Sequence, residues 1–111
     1  SDIYIDPMVR PIGTGSHYGV VAIETIRQVK KEFPGVHIAC GLSNISFGIP
    51  ARKLMHQAFL IAAMAAGMDA AILDPLDRKL MSFVYAGEAL LGIDDFCMNY
   101  LTMFREGKLE V

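Results

Sequence analysis

Three times in 111 residues a short apolar run is cut off by a turn-forming residue and followed by a segment of helical period. Ile3-Tyr4-Ile5 stops at Asp6-Pro7, Val36 to Cys40 stops at Gly41, and Ala70 to Leu73 stops at Asp74-Pro75. The stops Asp6, Gly41 and Asp74 are 35 and 33 residues apart, the length of a βαβ unit. Strands that alternate with helices pair in parallel through right-handed crossovers, so this order constrains the chain to an α/β fold with a parallel sheet. Ala22, Ile26, Val29 and Phe33 share one face of a first helix that begins near Val20 and is ended by Pro34-Gly35. A second helix should begin near Ala51 with Pro50 in its first turn. It is apolar almost all round from Ala58 to Ala66, a composition that predicts burial on more than one side, and Gly67 ends it. Asp77 can cap a third helix that runs to about Leu91 and stops at Gly92. A last helix, Phe96 to Arg105, can be capped by Asp94 or Asp95.

Three parallel strands are few. An open sheet of that size leaves hydrophobic edges exposed, whereas a closed (β/α)8 barrel takes roughly 250 residues. The chain is therefore expected to be a fragment of a larger parallel α/β barrel, or to complete itself with another chain. Self-association of a half-barrel is the alternative.

Composition narrows the function. A hydrophobic content of 53% with a net charge of -2 excludes a disordered chain. A pI of 5.8 supplies no basic field for nucleic acid. The longest apolar run, Ala58 to Met68, falls short of the ~18 residues of a membrane span. No N-terminal stretch has the form of a signal peptide. The two cysteines, Cys40 and Cys97, read as reduced thiols, which points to the cytoplasm. His17, His37 and His56 fall in a loop, a strand and a helix, and no Cys or His pair has zinc-ligand spacing, so no metal site is expected. Gly13-Thr14-Gly15 lacks the third glycine of a dinucleotide fingerprint, because Tyr18 stands there; it reads as a lid or a plain turn.

In parallel α/β proteins, chemistry gathers at the carboxyl ends of the strands. Here those ends carry Asp6, the Gly41-Leu42-Ser43-Asn44 turn and Asp74. Asp-Pro is also ordinary loop punctuation, so Asp6 and Asp74 read equally well as turn residues. The stretch Gly41 to Pro50 is more distinctive. Polar Ser43-Asn44-Ile45-Ser46 directly follows a strand, and Gly41 and Gly48 would let a flat ligand approach the backbone closely. Asn44 offers both a donor and an acceptor, which suits a heterocycle with ring nitrogens; a left-handed turn at Asn44 is the alternative.

Gly41 to Pro50, with Arg52 and the apolar helix after it, resembles the methyltetrahydrofolate-dependent methyltransferases. That group includes the enzymes that methylate corrinoid proteins and the folate module of cobalamin-dependent methionine synthase. Tyr4-Ile5-Asp6-Pro7 and Ala70 to Asp74 fit in the same order, and the resemblance covers essentially the whole chain. It implies a pterin-binding TIM barrel, of which this chain would be the last three βα units of a parallel (β/α)8 barrel plus a C-terminal helix, with residues 1–111 as one portion of a single domain. It also implies a methyl transfer between 5-methyltetrahydrofolate, the substrate, and the cobalt of a cobalamin-type corrinoid held by a partner protein. In that reading Asp6 bonds the amino-pyrimidine edge of the pterin and Asn44 reaches N5, where it assists catalysis. Arg52 supports the folate or its surroundings, and Ile72 lines the pocket floor. The complete enzyme is expected to be a homodimer, and residues 1–111 alone to be inactive, because other pterin contacts come from earlier strands. Dihydropteroate synthases share the barrel, but the cations of their Ser-Arg-Lys-type element are missing from Ser43-Asn44-Ile45.

Overall fold

The computed structural model describes residues 3–111, which divide into two compact units with a boundary between Leu73 and Asp74. The first unit holds the sheet. Its elements are β1 (Tyr4–Ile5), α1 (Tyr18–Glu32), β2 (His37–Gly41), α2 (Arg52–Ala66) and β3 (Ala70–Ile72). The strands lie in the order β1-β2-β3 and both pairings are parallel, as the spacing of the stops requires. Tyr4 pairs with His37 and Ile5 with Ile38; Ala39, Cys40 and Gly41 pair with Ala70, Ala71 and Ile72.

Because side chains alternate along a strand, this register sorts the sheet into two faces. Ile38 and Cys40 are buried, and with Ala22 and Ile26 of α1 and Phe59, Leu60 and Ala63 of α2 they belong to the hydrophobic core. Tyr4, His37, Ala39, Gly41, Ala70 and Ile72 share the other face. There Tyr4 stacks on His37 with ring centroids 4.7 Å apart, and Tyr4 and Ile72 remain 62% and 77% exposed. Parallel sheets are ordinarily covered on both faces, and here α1 and α2 leave this second face uncovered.

Several local expectations are corrected. The first helix starts at Tyr18, and Phe33 lies beyond it as an exposed cap residue whose N–H donates to the Val29 carbonyl. Pro50 stands ahead of α2 and outside its first turn, since Ala51 is the cap residue and adopts a left-handed conformation (φ 55°, ψ 46°). The second helix buries a single stripe, Phe59, Leu60, Ala63 and Ala66, while Ala58, Ala62 and Ala65 are exposed. These alanines are the second apolar side of the helix that the sequence pattern predicts. Pro11 to Ser16 contains a 3-10 turn, Ile12–Thr14, packed against the loop ahead of α2. A Cβ on Gly13 would lie 2.9 Å from Ile49 Cγ2, so only glycine allows that approach.

The second unit is helical. In α3 (Arg78–Leu90) the Asp77 carboxylate accepts the Leu80 N–H at 3.1 Å, the cap expected from sequence. Gly92 takes φ 77° just past the helix end. The final helix, α4 (Met98–Arg105), starts two residues later than expected because Phe96 and Cys97 have positive φ. Asp94 supplies the cap and Asp95 does not: its two oxygens accept the Asn99 and Tyr100 N–H groups at 3.0 Å each. No helix among the described residues is long and apolar enough to cross a membrane.

One polar cluster stitches the amino-terminal edge of the sheet. Asp69 accepts the Ile38 N–H at 2.8 Å, lies 2.8 Å from His37 Nδ1 and pairs with Lys30 Nζ at 3.4 Å. Lys30 also donates to the Val36 carbonyl. Burial by itself would raise the Asp69 pKa, but the His37 and Ile38 hydrogen bonds and the Lys30 charge outweigh it and hold the carboxyl below its ordinary 3.8. A carboxyl depressed in the folded state stabilises the fold above its unfolded pKa and loses that contribution as pH falls through the folded value. The stability difference between wild type and Asp69→Asn should therefore be full above pH 3.8 and shrink with acidification below it. Urea unfolding at a series of pH values measures this, and a difference that does not change on acidification contradicts it.

Candidate functional site

Parallel pairing of β1 with β2 brings the residues that follow each strand to the same edge of the sheet. There Asp6, Met8, Val9, Arg10, Gly41 and Asn44 line an open cavity of about 260 Å3. Asp6 and Asn44, singled out separately from sequence, thus meet at one site although 38 residues separate them.

Asp6 is held by a turn of its own making. Its Oδ1 accepts the Met8 N–H at 2.8 Å, which bends the chain over Pro7 and places Met8 at φ 58°. A methionine in the left-handed region is uncommon and costs energy, and this strained residue lies in the cavity wall. Asp74 makes the same turn, with Oδ1 accepting the Leu76 N–H at 2.9 Å. It opens the second unit, and its hydrogen bond is that of loop punctuation.

Asn44 is carried on a 3-10 turn, Ser43–Ser46, whose first two residues are displayed and whose last two anchor it. Leu42, Ile45 and Ser46 are buried, whereas Ser43 and Asn44 are exposed. Ser46, wholly buried, is the hub of the loop. Its Oγ accepts from Arg52 Nε at 2.9 Å, lies 2.7 Å from His56 Nε2 and donates to the Ser43 carbonyl at 3.1 Å. Arg52 Nη2 donates to the same carbonyl at 2.7 Å, and the guanidinium lies 6.0 Å from the centre of the Phe47 ring. Two residues of α2, Arg52 and His56, one turn apart, therefore clamp the turn that presents Asn44. The Asn44 side chain itself makes no hydrogen bond among the described residues.

The cavity lining includes neither Arg52 nor Ile72. Arg52 spends its donors on the loop, so it supports Asn44 from behind. Ile72, 77% exposed, pairs with Gly41 one strand over, and its carbonyl accepts the Leu42 N–H at 3.3 Å. Sequence reasoning missed Arg10, a cation in the loop after β1 whose guanidinium lies 5.5 Å from the Tyr18 ring centre. It also missed Ser46 and His56 as the clamp. Cys40 is the inert thiol expected: burial, and then the nearby Asp6 charge, push its pKa up to about 11.

A carboxylate and a free amide at the ends of adjacent strands, with an open apolar face alongside, suit a flat heterocycle bearing donors and ring nitrogens. Comparison with known proteins agrees. A family profile described as pterin binding enzyme matches residues 1–74. The chain belongs to the pterin binding enzyme family. Within it, the chain is 45% identical over 107 residues to the methylcorrinoid:tetrahydrofolate methyltransferase of Eubacterium limosum, a match that takes in 96% of this chain and 40% of that protein. It is 42% identical over 78 residues to methionine synthase of Mycobacterium tuberculosis, and 41% over 78 residues to that of Mycobacterium leprae; each match covers 65% of this chain and 6% of the relative. The chain thus spans well under half the length of these relatives. The matched residues, 1–74, include Asp6, Asn44 and Arg52.

The clamp makes a direct prediction. Ser46→Ala removes the hydroxyl that bonds Arg52 Nε and the His56 ring and should cost about 0.5–1.5 kcal/mol of stability. Ser43→Ala, which keeps the accepting carbonyl and alters only an exposed side chain, should stay within about 0.5 kcal/mol of wild type. Equal losses for the two variants in urea unfolding would show that the hydroxyl is no hub.

Proposed function

We propose that this chain forms the last three βα units, with the C-terminal helix, of a pterin-binding TIM barrel that moves a methyl group between 5-methyltetrahydrofolate and the cobalt of a corrinoid protein. Residues 1–111 are read as one portion of a single such domain, in a soluble, cytoplasmic enzyme that is a homodimer when complete. The observation that carries the reading is the meeting of Asp6 and Asn44 in one cavity at the carboxyl edge of a parallel sheet. The uncovered sheet face supports a larger barrel, since the remaining strands would close over Tyr4, His37 and Ile72. Identity of 45% to a methylcorrinoid:tetrahydrofolate methyltransferase supports the reaction.

The chemistry asks little covalent work of the protein. A methyl group on a tertiary amine departs easily only when that nitrogen is positively charged, because the leaving group is then a neutral amine. The Asp6 carboxylate suits the guanidine-like edge of the pterin, where a charge-assisted pair fixes the orientation of the ring. Asn44, whose amide is uncommitted, can turn its carbonyl to accept a hydrogen bond from protonated N5. That bond favours the charged species on the path to the transition state over the neutral ground state. Arg52 acts through the loop, by holding the Ser43–Ser46 turn in place. The corrinoid, carried by a partner protein, supplies the metal that takes or gives the methyl group.

Asn44→Ala in the complete protein should therefore slow methyl transfer more than it weakens folate binding. Loss of one transition-state hydrogen bond of this type costs roughly 100- to 1,000-fold in rate, whereas affinity should fall only modestly because Asp6 still holds the ring. Single-turnover transfer to a corrinoid protein, with equilibrium folate binding measured on the same variant, separates the two. An unchanged rate at saturating folate leaves Asn44 as a turn residue only.

A further inference from the structure

Arg10 belongs to two cavities at once. Besides the one it shares with Asp6 and Asn44, it lines a second, of about 230 Å3, with Pro7, Met8, Tyr18, Val21 and Ala22. Small-molecule sites usually run from about 300 Å3 upward, so each cavity alone is small for a complete ligand. Met8 and Arg10 are the residues common to both. A ligand seated on Asp6 and Asn44 and extending into the second cavity must pass them. Arg10 makes no ion pair among the described residues, and its guanidinium rests over the Tyr18 ring at 5.5 Å. Stacking on an aromatic face holds the cation in place, which lowers the ordering cost of using it to bind a ligand. A planar guanidinium with no acidic partner is suited to a carboxylate, which it can grip with two parallel hydrogen bonds. The strained backbone of Met8, φ 58°, fixes the turn that carries Arg10 to this position.

We propose that Arg10 recognises the carboxylate-bearing limb of the folate, so that the site selects glutamyl folates over bare pterins. The inference rests on the folate reading above and assigns the part of the substrate that lies beyond the ring. Asp6 and Asn44 hold the pterin, the aminobenzoyl limb runs past Met8, and Arg10 pairs with a carboxylate at its far end.

The test uses the full-length protein and two ligands: 5-methyltetrahydrofolate, and 5,6-dimethyltetrahydropterin, which keeps the methylated ring and lacks the limb. Equilibrium binding is measured for wild type, Arg10→Gln and Arg10→Lys. Arg10→Gln should weaken folate binding about 10- to 100-fold, the usual range for a charged hydrogen-bonded contact, and leave binding of the limb-free pterin unchanged. Arg10→Lys, which keeps the charge and loses the fork, should fall between. If Arg10→Gln weakens neither ligand, or weakens both alike, the assignment of Arg10 is overturned while the pterin site stands. If wild type binds neither ligand, the folate reading itself fails and takes this inference with it.

Discussion

The parallel ladder between β1 and β2 decides where chemistry can occur in this chain. Tyr4 opposite His37 and Ile5 opposite Ile38 leave both strands running the same way, so Asp6 and the Ser43–Ser46 turn emerge at one edge. An antiparallel pairing of the same segments would have sent them to opposite edges, and no single ligand could have touched both. The same register gathers Tyr4, His37 and Ile72 on a face that neither α1 nor α2 covers. Site and uncovered face are therefore two consequences of one hydrogen-bond pattern.

The two ends of the sheet do different work. At the amino-terminal edge, Asp69 ties β2, β3 and the end of α1 together through Ile38, His37 and Lys30, a cluster fully occupied with holding the fold. At the carboxyl edge the buried polar groups are equally well bonded, but they serve a loop that displays an uncommitted amide. Ser46, Arg52 and His56 fix the turn while Asn44 stays exposed. Left-handed backbone at Met8 and Ala51 brackets this region in sequence. Such strain persists only where the surroundings hold it, as the Asp6 carboxylate does for Met8.

Much of this arrangement was legible in the sequence, and the failures have physical reasons. The parallel sheet, and the emergence of Asp6 and Asn44 at one edge of it, follow from the alternation of strands and helices, because crossover connections keep the strands parallel. The Asp77 cap was legible because capping is local. Partners fixed by tertiary contact were not. Nothing in the order Ser46, Arg52, His56 announces that a helix will fold its first turn back onto the preceding loop. The left-handed Ala51 defeats propensity, since alanine normally avoids that region. Arg10 escaped notice because its role depends on a second cavity beside Tyr18, a feature of packing that no motif encodes.

If the Asp6–Asn44 cavity holds the pterin, the two Asp-Pro turns of the chain should differ in their effect on binding. Asp6 and Asp74 both follow a strand, both precede proline, and both accept an N–H two residues on. Asp6 lines the cavity with Asn44 in the first unit, whereas Asp74 opens the second. The decisive measurement is equilibrium binding of 5-methyltetrahydrofolate to the full-length protein and to its Asp6→Ala and Asp74→Ala variants. The account predicts that Asp6→Ala weakens binding about 10- to 100-fold, as expected for loss of a charge-assisted contact, and that Asp74→Ala binds as wild type does. Equal affinity for the two variants would contradict it.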